Sequence, residues 1–148
     1  MAKQPHRLLR PLLAAALVPF LLSGLLSGCT EKTPNGTPVD VTLKDFSITP
    51  TAQTVRAGDI VVRVSNEAPV THEFVVVRTD LPADGLPIAP DGLSVNEEWL
   101  SHVGEVPENP AGGTKDLVLN LPPGQYVFFC NLEGHYLGGM HAVLEVTA

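Results

Sequence analysis

The chain has 148 residues, 44% of them hydrophobic and 17% charged, with sixteen acidic against nine basic side chains for a net charge of −7. That is the size of one ordinary domain. An acidic balance with no basic cluster argues against a nucleic-acid partner and against charge-driven docking on anionic lipid.

The first residues differ in kind from the rest. Lys3, Arg7 and Arg10 precede an apolar run from Leu12 to Leu26 that Pro19 interrupts. The run is too short and too broken for a comfortable membrane span. A basic start, an apolar middle and a small-residue exit make residues 1–28 a secretory signal peptide. The tetrad Leu26-Ser27-Gly28-Cys29 resembles the lipobox of bacterial lipoproteins. That resemblance implies an acylated Cys29 and a membrane-anchored lipoprotein of the cell envelope, facing the periplasm or extracellular space. Conventional cleavage near Gly28 would instead leave Cys29 as a free thiol. Without the leader, six basic residues face sixteen acidic ones, a net charge of about −10, so acyl chains rather than charge must hold the protein at the membrane. With Cys29 acylated, Cys130 is the lone thiol of an exported domain and has no partner for an internal disulfide.

Residues 29–38 are polar and carry Pro34, Asn35, Gly36 and Pro38, the composition of a flexible tether. A folded domain is expected over 39–148. Val39, Val41 and Leu43 alternate as in a strand, and Phe46 and Ile48 continue on shifted parity, which predicts a bulge near Lys44-Asp45. After a turn at Ala57-Gly58-Asp59, Ile60, Val62 and Val64 alternate; beyond the break from Asn66 to Pro69, His72, Phe74 and Val76 share one face of a further strand. Later strands are expected over 117–121, 126–130 and 141–147. Between them lies a long excursion from Asp80 to Gly113, rich in proline and glycine. Within it Ser94-Val95-Asn96-Glu97 reads as a capping box and predicts one short helix over 95–102. Short strands parted by Gly/Pro turns, with no long helix, indicate an all-β antiparallel sandwich or barrel.

The run from Cys130 to Met140 spaces a thiolate, an imidazole and a thioether as C-x4-H-x4-M, with His135 in the middle. Thiolate and thioether are soft donors that favour Cu(I), and imidazole serves both oxidation states. Two His and one Cys in a plane with a weak axial Met is the arrangement of blue-copper electron-transfer centres. His72 is the best source of the second imidazole, because its parity with Phe74 and Val76 aims it at the core, where an unpartnered ring is costly. Met140 shares a face with Ala142, Leu144 and Val146, whereas His141 falls on the outer face, and His102 lies in the excursion. Both of those histidines read as solvated surface residues.

The stretch from Val64-Ser65-Asn66 to His72-Glu73-Phe74, together with Leu121-Pro122-Pro123-Gly124-Gln125-Tyr126-Val127-Phe128-Phe129-Cys130 and Gly134-His135, resembles the cupredoxins of the plastocyanin and azurin type. The resemblance covers most of the domain outside residues 80–113. It implies a Greek-key β-sandwich with one type 1 copper ion, in which Cys130, His72 and His135 form the trigonal plane and Met140 sits axially. Two positions depart from the commonest pattern. Glu73 stands where a short Asn or Asp often braces the cysteine loop, and Glu133 stands where a proline often precedes Gly-His.

A single-electron carrier follows, not an enzyme, working as a monomer with redox protein partners. His135 should present an edge to solvent within a rim of Leu132, Tyr136, Leu137, Gly138 and Gly139; Leu132, Tyr136 and Leu137 are the expected electron port. The same ligands could serve a copper carrier or buffer that passes Cu(I) to a partner, but Met140 is the only methionine beyond the leader, which leaves no relay of thioethers. Four histidines after the leader, without His-x-His pairs, cannot build a trinuclear copper cluster. A Cys130–His135 hydrolytic pair would leave Met140 idle and lacks a third orienting residue, and methionine is a poor zinc ligand.

Overall fold

The computed structural model describes residues 35–148; the expected signal peptide, Cys29 and the expected tether up to residue 34 lie outside the described residues. Two sheets face each other across one apolar core. The first has the order β2-β1-β4-β7, from Ser47–Pro50, Thr37–Lys44, Gly58–Asn66 and Thr114–Leu121. The second has the order β3-β9-β8-β5-β6, from Thr54–Arg56, His141–Thr147, Gly124–Phe129, His72–Arg78 and Ser101–Asn109. The chain crosses repeatedly from sheet to sheet, as expected of the sandwich. Neither sheet is purely antiparallel, however: β1 runs parallel to β4 and β3 parallel to β9.

Period-two alternation places the core. Val39, Val41 and Leu43 of β1, and Ile60, Val62 and Val64 of β4, point inward against Phe74, Val76, Tyr126, Phe128, Leu144 and Val146 of the opposite sheet. Each such side chain contributes about 1.5–3 kcal/mol on burial. The central strands β5 and β8 are apolar without alternation, Phe74–Val77 and Tyr126–Phe129, and a second cluster explains why. Val75, Val77, Val127 and Phe129 face away from the main core and are covered by Leu86, Val95 and Tyr136. Both faces of these strands are therefore dry.

That cover is the segment read as a surface excursion, and the expectation needs correcting. Residues 80–100 pack on the outer face of the second sheet, and Ser101–Asn109 is a nine-residue strand paired with β5. The short helix over 95–102 reduces to one 3-10 turn, Glu97–Trp99. The capping box does not form because its members are engaged elsewhere: the Ser94 hydroxyl donates to Asp91, and the Glu97 carboxylate accepts from Asn131 Nδ2 at 2.6 Å. The predicted bulge at Lys44-Asp45 is instead a two-residue hairpin turn, Asp45-Phe46, with Lys44 paired to Ser47. β1 also starts at Thr37, two residues inside the expected tether.

Candidate metal centre

The site sits at one end of the sandwich, where strand ends meet. His72 opens β5, Cys130 follows β8 directly, and Met140 immediately precedes β9. The loop between the last two is a compact knot of backbone bonds. Cys130 N–H donates to Met140 O at 3.1 Å, Met140 N–H to His135 O at 3.1 Å, and His135 N–H to Leu132 O at 2.9 Å. Gly139, at φ +100°, lets the chain reverse into β9 where a side chain would be strained. The result is that the three donor residues of an eleven-residue stretch are held within one compact loop.

His72 and Cys130 are buried, and His135 is half-buried. Their donor atoms converge: His72 Nδ1 lies 3.2 Å from His135 Nδ1, Cys130 Sγ lies 3.9 Å from His72 Nδ1, and Cys130 Sγ lies 3.4 Å from His135 Nδ1. A point in the plane of this triangle is roughly 2 Å from all three atoms, the bond length that first-row metals make with such ligands. Met140 is fully buried in the same apolar cluster as Cys130. Two imidazole nitrogens and a sulfur packed this closely in a dry site offer lone pairs to one another and little else, which is the situation a bound cation relieves. The residues present therefore fit a metal, and the donor chemistry selects copper.

The surroundings set the protonation states. Burial, and secondly the neighbouring His135, hold His72 below the usual imidazole range, against a smaller upward pull from Asp45. The ring is thus neutral and ready to ligate. Burial pushes the Cys130 thiol up, while the backbone N–H groups of Leu132 and Glu73 pull it down; the Glu73 N–H lies 3.4 Å from Sγ. Those amides are aimed where a metal-bound thiolate would carry its charge.

Glu73 meets the cysteine loop through its backbone, whose N–H reaches Cys130 Sγ at 3.4 Å. Its carboxyl is pushed up to about 7, first by burial and then by the nearby charges of Glu97 and Glu105, against a smaller downward pull from the Asn131 backbone. Asn131 ties the cysteine loop to the covering segment, accepting Val95 N–H at 2.6 Å and donating to Glu97 at 2.6 Å. Sequence reasoning missed Asn131, although its place next to Cys130 was a signal that its amide would be held.

Geometry also revises the expected rim. Leu132 and Leu137 are exposed beside the site, but Tyr136 is buried. Its hydroxyl donates to Ala83 O at 2.7 Å and accepts from Leu86 N–H at 2.9 Å, so it belongs to the second core and not to an exposed rim. Phe46, which the sequence placed on a shifted strand parity, stands beside the site instead. Phe46 is 54% exposed and stands edge-on to the His135 ring at 5.6 Å. A shallow groove of about 200 Å³ runs between Asp45, Phe46, Val70, His72 and His135. His141 is not fully solvated either, since its ring packs on Tyr136 at 5.4 Å. His102 pairs with Glu105 at 3.5 Å on the edge strand.

The family model for the sulfocyanin (SoxE) domain matches residues 49–148, which include all four expected donors. The chain belongs to this family. No curated protein sequence matches it. Among solved structures, it is similar to auracyanin from Roseiflexus castenholzii, with 22% identity and a TM-score of 0.58 over 78% of this chain and 100% of that one. Auracyanin A, a "blue" copper protein from Chloroflexus aurantiacus, gives 22% identity and a TM-score of 0.53 over 74% of this chain and 99% of that one. Rusticyanin from Thiobacillus ferrooxidans gives 17% identity and a TM-score of 0.54 over 76% and 79%. These likenesses establish the cupredoxin fold, and the donor set is that of a type 1 copper centre.

Proposed function

We propose that this chain is a single-electron carrier whose one type 1 copper ion is held by His72, Cys130, His135 and Met140, on the extracytoplasmic side of a membrane to which an acylated Cys29 tethers it. A bound copper ion supplies the one-electron couple. The protein supplies a pre-shaped buried cage, so that the same ligands serve both oxidation states with little rearrangement. The observation that carries this reading is the convergence of three donors within 3.2–3.9 Å at the buried end of a rigid sandwich. Electrons would pass through the half-buried His135 edge, inside an apolar rim of Phe46, Val70, Leu132 and Leu137. The Leu-Ser-Gly-Cys tetrad supports the anchor.

The test is metal loading followed by redox cycling. One Cu(II) per chain with intense blue or green charge-transfer absorption is expected, lost in Cys130→Ser, with rapid reduction and reoxidation by small mediators and Cu(I) retained against a moderate chelator. A colourless complex overturns the copper assignment. Slow cycling with ready release of Cu(I) moves the function to a copper carrier. In the exporting cell, Cys29→Ala should shift the protein from the membrane to the soluble fraction, and an unmodified Cys29 in the mature protein would exclude the anchor.

A further inference from the structure

The two-residue turn between β1 and β2 reaches both imidazoles of the site, and nothing in the ligand set requires it to. Phe46 adopts φ +57°, a left-handed conformation that a bulky side chain rarely takes and that this position of a tight turn usually gives to glycine or asparagine. The strained turn is held by what it contacts. The Phe46 ring stands against His135, and a Cβ placed on Gly138 would come within 2.8 Å of the ring's Cε1, so the absence of a side chain at 138 is what admits it. Turned this way, the adjacent residue Asp45 is carried to the other imidazole.

His72 points Nδ1 at the donor triangle, which leaves Nε2 on the far side of the ring. That nitrogen is buried and, among the described residues, has no partner within hydrogen-bond geometry. Asp45 Oδ1 stops just outside it, 3.4 Å away, on a side chain that is 52% exposed and free to close the few remaining tenths of an ångström. An imidazole that ligates through Nδ1 must carry its proton on Nε2, and a ligating histidine ordinarily gives that proton to a carboxylate, a carbonyl or water.

We propose that Asp45 is the outer partner of His72: its carboxylate takes the Nε2–H hydrogen bond, fixes the tautomer that presents Nδ1 to the copper, and biases the couple toward the oxidised ion. The bias follows from charge. A negative group hydrogen-bonded to the ligand makes the imidazole a stronger donor and lies close to the ion's extra positive charge, so it stabilises Cu(II) more than Cu(I). Asp45 is a positioning residue, acting through His72 without touching the metal.

This inference rests on the proposed copper site, and its test separates the two. Asp45→Asn keeps the shape and an acceptor oxygen but removes the charge; Asp45→Ala removes both. In each variant the Cu(II)/Cu(I) equilibrium should shift toward Cu(I) by about threefold to tenfold, the upper figure being about 59 mV in midpoint potential for one electron. The diamagnetic Cu(I) form supplies a second readout. The His72 Nε2–H proton should be visible and slow to exchange in the wild type, and should exchange faster in Asp45→Ala. A wild-type potential in both variants, or an equally protected Nε2–H in Asp45→Ala, overturns the role of Asp45 while the blue wild-type site stands. A wild-type protein that binds no blue copper would fail at the earlier reading instead.

Discussion

At the scale of single residues, the buried site is ringed by charge that it does not itself use, and Glu73 shows the consequence. Its carboxyl lies near 7 because burial and the charges of Glu97 and Glu105 disfavour ionisation. A folded-state value raised above the ordinary 4.5 means stability that is full below about 4.5 and is lost as pH rises toward 7. In the metal-free protein, Glu73→Gln should therefore match the wild type near pH 4 and exceed it by about 1 kcal/mol near pH 8, a figure reduced for partial solvent screening. Urea unfolding across that range measures the gap; one that does not widen with pH would show that ionisation of Glu73 carries no folding cost. The carboxyl itself was legible as an anomaly in the sequence, but its partners were not, because Glu97 and Glu105 arrive from a segment whose path the sequence left open. The ligand set was far more legible. Cys130, His135 and Met140 stand within eleven consecutive residues, and their convergence is settled by local turns. Asp45 and Phe46 were hidden because their role depends on one positive φ in a turn distant in sequence from every ligand.

At the scale of elements, strands with clean alternation could be read directly, and those buried on both faces could not be placed fully. Val39-Val41-Leu43 shows its inner face by pattern alone. The unbroken runs Phe74–Val77 and Tyr126–Phe129 said only that something covers the outer face, while the cover was spelled in prolines and glycines that resemble an open loop. Strand β6 was missed for the same reason: Ser101–Asn109 holds Gly104 and Pro107, and as an edge strand it tolerates both. Gly104 has a positive use, since any side chain there would collide with Leu119. The excursion is pinned to the sheet by Tyr136, whose hydroxyl serves Ala83 and Leu86 at once. Tyr136→Phe should leave the Leu86 N–H buried without a partner and cost about 1–3 kcal/mol. Hydrogen exchange should show the loss at the Leu86 amide, together with a lower melting temperature. Unchanged protection at Leu86 would mean that apolar packing alone holds the cover.

At the scale of the whole molecule, an acidic body carries a group of exposed apolar side chains beside the site. Residues 29–148 carry a net charge of about −10, so two copies repel at long range, and close approach depends on where apolar surface is exposed. Phe46, Val70, Leu132 and Leu137 are each exposed by 37–54% around the His135 edge. Val118 is equally exposed, at 54%, but sits in mid-strand on β7, paired with Val61. These two positions separate local contact from overall charge. If the proposed port carries the electron, self-exchange between Cu(I) and Cu(II) copies of the same protein brings two ports together, and Leu137→Glu should slow it about tenfold or more. It does so by placing two carboxylates in one desolvated contact, a loss of roughly 1.4 kcal/mol in the encounter. Val118→Glu adds the same charge to each copy and should change the rate by no more than about twofold at moderate salt, where exposed charges beyond about 8–10 Å are screened. The charge-transfer band should be unaltered in both variants, since neither touches a ligand. Line broadening of ligand-proton resonances in mixtures of the two oxidation states gives the rate directly. Equal slowing by the two substitutions would assign the effect to net charge and move the electron path away from the His135 rim.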